Sequence, residues 1–180
     1  MENNNQQKQI SDKLSPIDLR KANASQIEAH IIEFEKFNAK AEVFFDNQRI
    51  SIDEQMNVLF DVLRIQDYKQ YIILQSNAMA LRQTIQEHIS KFLNKLSRAN
   101  ANYKVACGNR HEYYMTGYGI KIAEGMKSKL VDRDLSERER NIELYQTHIE
   151  YLRDSSKSCA DIQYAVKNAI ALFTYLNTEK

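Results

Sequence analysis

The sequence predicts an all-α fold in which long helices form an elongated bundle and the C-terminal helix has a coiled-coil-like pattern suited to oligomerisation. The 180 residues include only 4 glycines and 1 proline, well below the usual shares of about 7% and 5%. Sandwiches, barrels and doubly wound sheets need many tight turns, so this composition argues against them. Apolar residues also recur at spacings of three and four along most of the chain, which is the period of an amphipathic helix.

Residues 1–24 are predicted to form a flexible N-terminal arm. The segment is rich in asparagine and glutamine and contains the only proline, Pro16, and such a composition buries too little apolar surface to order itself. The apolar side chains in the arm are spaced so that they could dock on a partner as a short helix. They are Ile10, Leu14, Ile17 and Leu19.

Two helical regions follow the arm, the first over residues 25–75 and the second over residues 76–180. A capping box, in which a serine and a glutamate three residues later satisfy free N–H groups, marks the start of a helix. Three such boxes predict helix starts at Ser25 with Glu28, Ser51 with Glu54, and Ser136 with Glu139. Between Met56 and Met115 the apolar pattern predicts either one very long helix or two helices that meet near Gln70.

The clearest break in the helical pattern is predicted between Thr116 and Gly125. All four glycines of the chain fall within eighteen residues, and glycine loosens the backbone and permits positive φ. They are Gly108, Gly117, Gly119 and Gly125.

Beyond this break, apolar residues at three-four spacing form a stripe that suits a helix packed against another helix. A coiled-coil seam between chains and a bundle core within one chain give the same pattern, and the sequence does not separate them. Because a narrow helical assembly leaves apolar surface uncovered, we expect self-association through this stripe. The candidate oligomerisation residues are Ile142, Tyr145, Ile149, Leu152, Ile162, Val166, Ile170 and Phe173.

Charge is distributed unevenly, although the formal net charge is only +1. Residues 1–81 carry a net charge of −3, residues 82–129 carry +6, and residues 130–180 carry −2. A basic centre between acidic flanks is expected of a chain that meets a polyanion at one place. A solvated helix face gives the same count, so charge alone does not decide the function.

Residues typical of catalysis or metal binding form no complete pattern in the sequence. His111 and Glu112 begin a zincin-like motif, but Met115 stands where the second histidine ligand is required. Asp132 and Asp134 are interpreted as charges near the start of a helix rather than as metal ligands. We therefore expect no enzymatic activity, no bound metal and no cofactor.

Cysteine use and hydropathy favour a reducing cytoplasm and no membrane partner. Cys107 and Cys159 lack metal-ligand spacing and are too few for a disulfide scaffold. No stretch approaches the roughly 20 apolar residues of a membrane span, and no charged-then-apolar leader opens the sequence.

The segment from Tyr103 to Tyr118 interleaves tyrosines with the cations Lys104 and Arg110. Proteins that bind single-stranded nucleic acid combine these two kinds of side chain, because cations neutralise phosphates and aromatic faces stack with unpaired bases. Tyrosines on helices also commonly half-bury in a core, and that alternative stays open for Tyr113 and Tyr114.

This segment resembles UvsY, the recombination mediator family of T-even-type phages. The shared pattern is a Lys-Val-Ala run, an arginine, a tyrosine pair, a glycine-containing loop and a Met-Lys-x-x-Leu element. Here these are Lys104-Val105-Ala106, Arg110, Tyr113-Tyr114, Gly117 and Gly119, then Met126-Lys127 and Leu130. The likeness covers about residues 75–175 and is densest over residues 104–130.

The resemblance implies a small helical protein that assembles into a ring, binds single-stranded DNA and hydrolyses nothing. Such mediators load a RecA-like recombinase onto strands covered by single-strand-binding protein, here in the cytoplasm of an infected bacterial cell. Residues 76–180 would then be the DNA-binding and oligomerisation region.

The family's DNA contacts fall on a Lys-x-Arg pair just before the tyrosines. The arginine maps to Arg110, but Gly108 stands at the lysine position, so Lys104 is expected to substitute for it. The candidate DNA-binding residues are Lys104, Arg110, Tyr113, Tyr114, Lys121, Lys127 and Lys129.

Two other classes of protein compete with the mediator interpretation. A helical structural or adaptor protein of a phage would use the same apolar stripes for protein contacts alone. A regulator of duplex DNA ranks lower, because the sequence has no compact helix-turn-helix.

Overall fold

A computed structural model describes residues 17–65, 67–119 and 121–178 of the chain. Three long helices pack against each other in these ranges, and no β-strand occurs among the described residues. Helix α1 spans Ala24–Ile65, α2 spans Tyr68–Glu112, and α3 spans Glu124–Thr178. A π-helical turn, Tyr113–Gly117, follows α2 directly. The predicted all-α bundle is confirmed.

Helix α1 begins with a reciprocal capping box, but its residues are Asn23 and Gln26. The backbone N–H of Asn23 donates to Oε1 of Gln26, and the backbone N–H of Gln26 donates to Oδ1 of Asn23, both at 3.0 Å. The helix start predicted from Ser25 and Glu28 is therefore two residues too late.

The other two predicted helix starts are wrong, because Ser51 lies inside α1 and Ser136 lies inside α3. Ser136 Oγ donates back to the carbonyl of Arg133 at 3.1 Å, a bond that a serine forms within a helix. A capping box marks an N-terminus only where the preceding chain leaves the helix. No glycine or proline interrupts the chain just before either serine, so each helix continues past its serine without a break.

Of the two alternatives for residues 56–115, the two-helix interpretation is confirmed, although the helices meet a few residues before the predicted Gln70. Helix α1 ends at Ile65 and α2 begins at Tyr68, and Oδ1 of Asp67 accepts a hydrogen bond from the N–H of Lys69 at 3.0 Å. The aspartate thus satisfies one free N–H group at the start of α2.

The predicted glycine-rich break is also confirmed, but it ends earlier than predicted, because Gly125 lies inside α3. No α-helix covers the described residues between Glu112 and Glu124, and Gly119 adopts a positive φ of 73°. That conformation strains any residue with a Cβ, so glycine suits this position.

The described end of the predicted N-terminal arm packs on the rest of its own chain. Leu19 and Ala22 are buried, and Ile17 packs against the same cluster. Ile17 and Leu19 are therefore occupied within the chain rather than free to dock on a partner. Ile10 and Leu14 lie outside the described residues.

The chain divides into two compact units, and each takes a segment from all three helices. The first unit comprises the described residues of Met1–Phe44 and Asn94–Gln146. The second comprises those of Phe45–Leu93 and Thr147–Lys180. In the first unit a buried cluster joins the chain before α1 to all three helices, through Leu19, Ala22, Ile27, Ala106, Tyr114, Val131 and Leu135.

Most of the stripe that was expected to pair chains is instead core within one chain. Six of its eight members are buried, so they are occupied inside the bundle and are not available to another copy. These are Ile142, Tyr145, Ile149, Leu152, Ile162 and Val166. Only Ile170, which is half-buried, and Phe173, which is 49% exposed, retain open surface. For the six buried residues, the bundle-core alternative is confirmed.

His148 lies fully buried in the aromatic core of the second unit. Its ring stacks on Phe45 at a centroid distance of 4.2 Å and meets Phe92 edge-on at 4.9 Å. Nε2 lies 2.7 Å from Oε1 of Gln48, so Nε2 carries the proton and Nδ1 has no hydrogen-bond partner among the described residues. Burial, and then the nearby charges of Arg49 and His88, lower the pKa of His148 to about 3.

We expect this histidine to make the protein lose stability in acid. The pKa of His148 is lower in the folded state than in the unfolded chain. Between about pH 6.5 and pH 3, His148 is therefore protonated in the unfolded chain but neutral in the folded protein. Stability is therefore full above pH 6.5 and falls by up to about 1.4 kcal/mol per pH unit toward pH 3. Urea unfolding at a series of pH values measures this slope.

The His148→Phe variant lacks this titrating group. Its stability should therefore depend less on pH, by up to about 1.4 kcal/mol per pH unit, whatever the effect of the substitution on absolute stability. His30 and His88 also have lowered pKa values, chiefly through burial, so part of the acid sensitivity remains. Identical slopes in the variant and the wild type would contradict the assignment to His148.

In the described parts of the chain, no helix combines the length and apolar character that crossing a bilayer requires.

Candidate nucleic-acid interface

Arg110, the central residue of the predicted DNA site, is buried near the C-terminal end of α2 with only 1% of its surface exposed. Its Nε donates to Oδ2 of Asp134 at 3.0 Å, and Nη2 binds the same oxygen. Nη1 donates to the backbone carbonyls of Leu19 and Ala22 at 3.2 and 3.0 Å. Nη2 also donates to the Tyr114 hydroxyl at 3.0 Å. Each guanidinium nitrogen has a partner inside the first unit.

The prediction that Arg110 and Tyr114 contact DNA is therefore wrong for this structure. The charge of Arg110 is neutralised by Asp134, and neither Arg110 nor the 4% exposed Tyr114 presents a surface to a ligand. The core alternative holds for Tyr114, although this residue is buried rather than half-buried. Arg110 instead anchors the chain before α1 to α2 and α3.

Asp134 is the residue that sequence reasoning misjudged, because its side chain is buried inside α3 rather than exposed near a helix start. Oδ2 also accepts a hydrogen bond from the Tyr114 hydroxyl at 2.6 Å, and Oδ1 accepts one from Arg133 at 2.8 Å. Burial and the bond to Asp134 raise the pKa of Tyr114. A signal was present, since Asp134 occupies an apolar-stripe position between Val131 and Leu135, and an acid there needs a buried cation.

Three tyrosines pack together where α2 gives way to the connection to α3. The ring centroids of Tyr113, Tyr114 and Tyr118 lie 5.2 to 5.9 Å apart in all three pairs. The guanidinium carbon of Arg110 lies 4.3 Å from the Tyr113 centroid and 4.8 Å from the Tyr114 centroid. Tyr113 is half-buried and Tyr118 is 41% exposed, so only the outer edge of the cluster meets solvent.

The predicted lysines remain on the surface of the first unit. Lys104 on α2, Lys121 in the connection and Lys129 on α3 are exposed. None of the three forms an ion pair with a carboxylate of residues 17–65, 67–119 or 121–178. Lys127 differs, because its Nζ donates to Oε2 of Glu124 at 2.9 Å and its side chain is only 15% exposed.

The two acids between residues 94 and 129 have cationic partners, whereas Asp132, three residues after Lys129, is exposed and forms no ion pair with a described residue. Between residues 94 and 129 the only acids are Glu112 and Glu124. Glu112 lies 3.2 Å from Nε of Arg20, and Glu124 binds Lys127. Lys104, Lys121 and Lys129 therefore outnumber Asp132, the unpaired acid nearest to Lys129 along the chain.

No group of three or more His, Cys, Asp or Glu side chains within the described ranges could hold a metal ion.

The fold and this surface define an all-α bundle protein with a basic, tyrosine-bearing region at the α2–α3 connection. No protein-family model, curated protein or solved structure matches the chain. The resemblance to UvsY stays a prediction that rests on the motif between Lys104 and Leu130.

Proposed function

We propose that this protein binds single-stranded DNA without sequence preference and acts as a recombination mediator. In that role it helps load a RecA-like recombinase onto strands covered by single-strand-binding protein. The observation that carries the proposal is the exposure of Lys104, Lys121 and Lys129 on one compact unit, without ion pairs to described carboxylates.

Lysines of this kind suit a DNA backbone rather than a particular base sequence. Each one that meets a phosphate displaces a condensed counterion, so affinity arises without base readout and falls as salt rises. Arg98, also exposed on the α2 segment of the first unit, adds to the same charge. Glu112 and Glu124 do not oppose binding, because Arg20 and Lys127 already neutralise them, while the exposed Asp132 offsets part of the charge beside Lys129.

The resemblance to UvsY supports the proposal, with the contacts reassigned. The family pattern places contacts on a Lys-x-Arg pair, but here the lysine position is Gly108 and Arg110 is buried. DNA binding in this chain therefore falls to Lys104, Lys121 and Lys129.

Self-association belongs to the last turns of α3 rather than to the buried stripe. Only one charged residue, Lys167, lies between positions 162 and 178. Four large apolar side chains near the end of the helix are 49% to 61% exposed, namely Leu172, Phe173, Tyr175 and Leu176. Copies joined there repeat the lysines on every protomer, and such multivalency raises apparent affinity by roughly 10²–10⁴.

Reversing the charge of Lys104, Lys121 and Lys129 to glutamate should abolish most DNA binding. Losing three phosphate contacts lowers the salt slope of log affinity by about 2. Affinity for oligo-dT at low salt should fall on the order of 100-fold or more. Fluorescence anisotropy of labelled oligo-dT across a salt series measures both quantities, and circular dichroism confirms that the variant folds.

A matched triple variant separates the site from net charge. Lys36, Lys69 and Lys157 are exposed elsewhere on the chain, and replacing them by glutamate changes the total charge equally. This control should keep most of the affinity. Equal losses in both variants, or a wild type that does not bind oligo-dT, would overturn the proposed DNA site.

The exposed apolar end of α3 also favours a second candidate, a helical structural or adaptor protein of a phage. This candidate uses Leu172, Leu176 and their neighbours for protein contacts alone. It predicts an oligomer that retains no oligo-dT at any salt concentration. Native mass measurement with and without oligo-dT distinguishes it from the mediator.

A further inference from the structure

The tyrosine cluster at the end of α2 contains one ring that is both supported and open. We propose that Tyr118 is a stacking platform for an unpaired nucleobase, and this inference rests on the proposed binding of single-stranded DNA. The site consists of the Tyr118 ring, the glycine backbone beside it and Lys121.

Tyr118 rests on two rings that are themselves held in place. Tyr114 is fixed by its hydrogen bonds with Arg110 and Asp134, and Tyr113 lies against the guanidinium of Arg110. Tyr118 contacts both rings, at centroid distances of 5.9 Å to Tyr113 and 5.3 Å to Tyr114. Arg110 is therefore a positioning residue, which acts on a ligand only through the tyrosines.

Of the three tyrosines, Tyr118 has the most open surface, since 41% of the residue is exposed while Tyr113 is half-buried and Tyr114 is 4% exposed. A ring already ordered by its neighbours loses little side-chain entropy when a ligand stacks on it. The adjacent backbone leaves space for that ligand, because a Cβ built on Gly119 meets no atom within 4 Å.

Lys121 and the N-terminus of α3 follow Tyr118 closely in the sequence and could both attract the phosphates next to a stacked base. Lys121 is exposed three residues after Tyr118 and precedes Glu124, where α3 begins. The N-terminus of a helix is the positive end of its dipole and favours a phosphate. Glu124 offers little repulsion because it is bound to Lys127. An aromatic face beside such cations suits any base, because every base has a π-face.

The test compares two probes with the full-length protein, a labelled oligo-dT and an abasic deoxyribose-phosphate oligomer of the same length. The wild type should bind oligo-dT more tightly than the abasic oligomer by about 5- to 150-fold. Tyr118→Leu should remove this preference and leave affinity for the abasic oligomer unchanged. Tyr118→Phe, which keeps an aromatic face, should retain the preference.

Tyr164→Leu is the matched control, because Tyr164 is 69% exposed on the α3 segment of the second unit. This variant should keep the wild-type preference for oligo-dT. Thermal unfolding of each variant confirms that it folds.

The possible failures point to different errors. A wild type that binds both oligomers equally overturns the stacking platform but leaves phosphate binding by the lysines intact. A Tyr118→Leu variant that keeps the preference, or weakens binding to both oligomers equally, also overturns the platform alone. A wild type that binds neither oligomer overturns the proposed function and the platform together.

Discussion

Replacing Arg110 by methionine should lower the free energy of unfolding by about 3–5 kcal/mol. The substitution removes the cation but leaves the Asp134 carboxylate fully buried without its main partner. The carbonyls of Leu19 and Ala22 also lose a donor. Urea denaturation followed by far-UV circular dichroism measures the loss.

Two further variants test the reason for this loss. Arg98→Met, on an exposed site of α2, should change the free energy of unfolding by no more than about 0.5 kcal/mol. The double variant with Arg110→Met and Asp134→Leu should recover much of the stability, because an apolar pair can replace a buried ion pair at little cost. If Arg110→Met lowers the free energy of unfolding no more than Arg98→Met does, the buried pair of Arg110 and Asp134 does not stabilise the first unit.

Leu152→Ala should lower the free energy of unfolding by about 2–5 kcal/mol, because it opens a cavity in the core of the second unit. Leu152 is fully buried within a single chain. By contrast, the double variant with Leu172→Ala and Leu176→Ala changes exposed side chains, and each change should alter stability by no more than about 0.5 kcal/mol. The double variant should instead reduce the oligomeric mass.

Chemical denaturation and native mass measurement on the same samples separate the two effects. An intact fold with a lower mass in Leu172→Ala/Leu176→Ala supports contacts between chains at the end of α3. If Leu152→Ala lowers the mass without lowering stability, the stripe does pair chains after all. An unchanged mass in the double variant removes the proposed self-association surface.

The fold class was predictable because helical periodicity and a shortage of glycine and proline act along the whole chain. The helix starts were less predictable, since a capping box is a local pattern that also occurs inside helices. Ser51 and Ser136 stand in such patterns, but packing of the flanking residues continues the helix through both. Asn23 with Gln26 has the same chemistry in amide form and marks the real start of α1.

The candidate site was only partly predictable, because sequence gives charge but not the partner that neutralises it. Lys104, Lys121 and Lys129 are exposed as a DNA site requires. Arg110 stands in the same basic segment, but its partner Asp134 lies 24 residues away and reaches it only in the folded chain. Burial of the cation could be inferred only by asking why an acid stands between the apolar residues Val131 and Leu135.

The apolar stripe of α3 shows a second limit of sequence reasoning. Spacing identifies which side of a helix is covered but does not say whether the covering helix belongs to the same chain. The buried residues between Ile142 and Val166 and the exposed Phe173 and Leu176 continue one periodic pattern. The buried and exposed residues differ only in whether another helix of the same chain covers them.

The long sequence separation between α1 and α3 has a consequence for how the chain folds. Asn38 bonds to Asn141 in the first unit, and Gln48 bonds to His148 in the second, so these contacts join residues 103 and 100 positions apart. Closing such a distance costs more chain entropy than joining α1 to α2, which are consecutive. Because α2 is also consecutive with α3, and Arg110 bonds to Asp134 only 24 positions away, we expect α2 to pair early with one neighbour and the remaining helix to dock last. Until that helix docks, the pair can accept the same helix from another copy, which is a route to domain-swapped dimers.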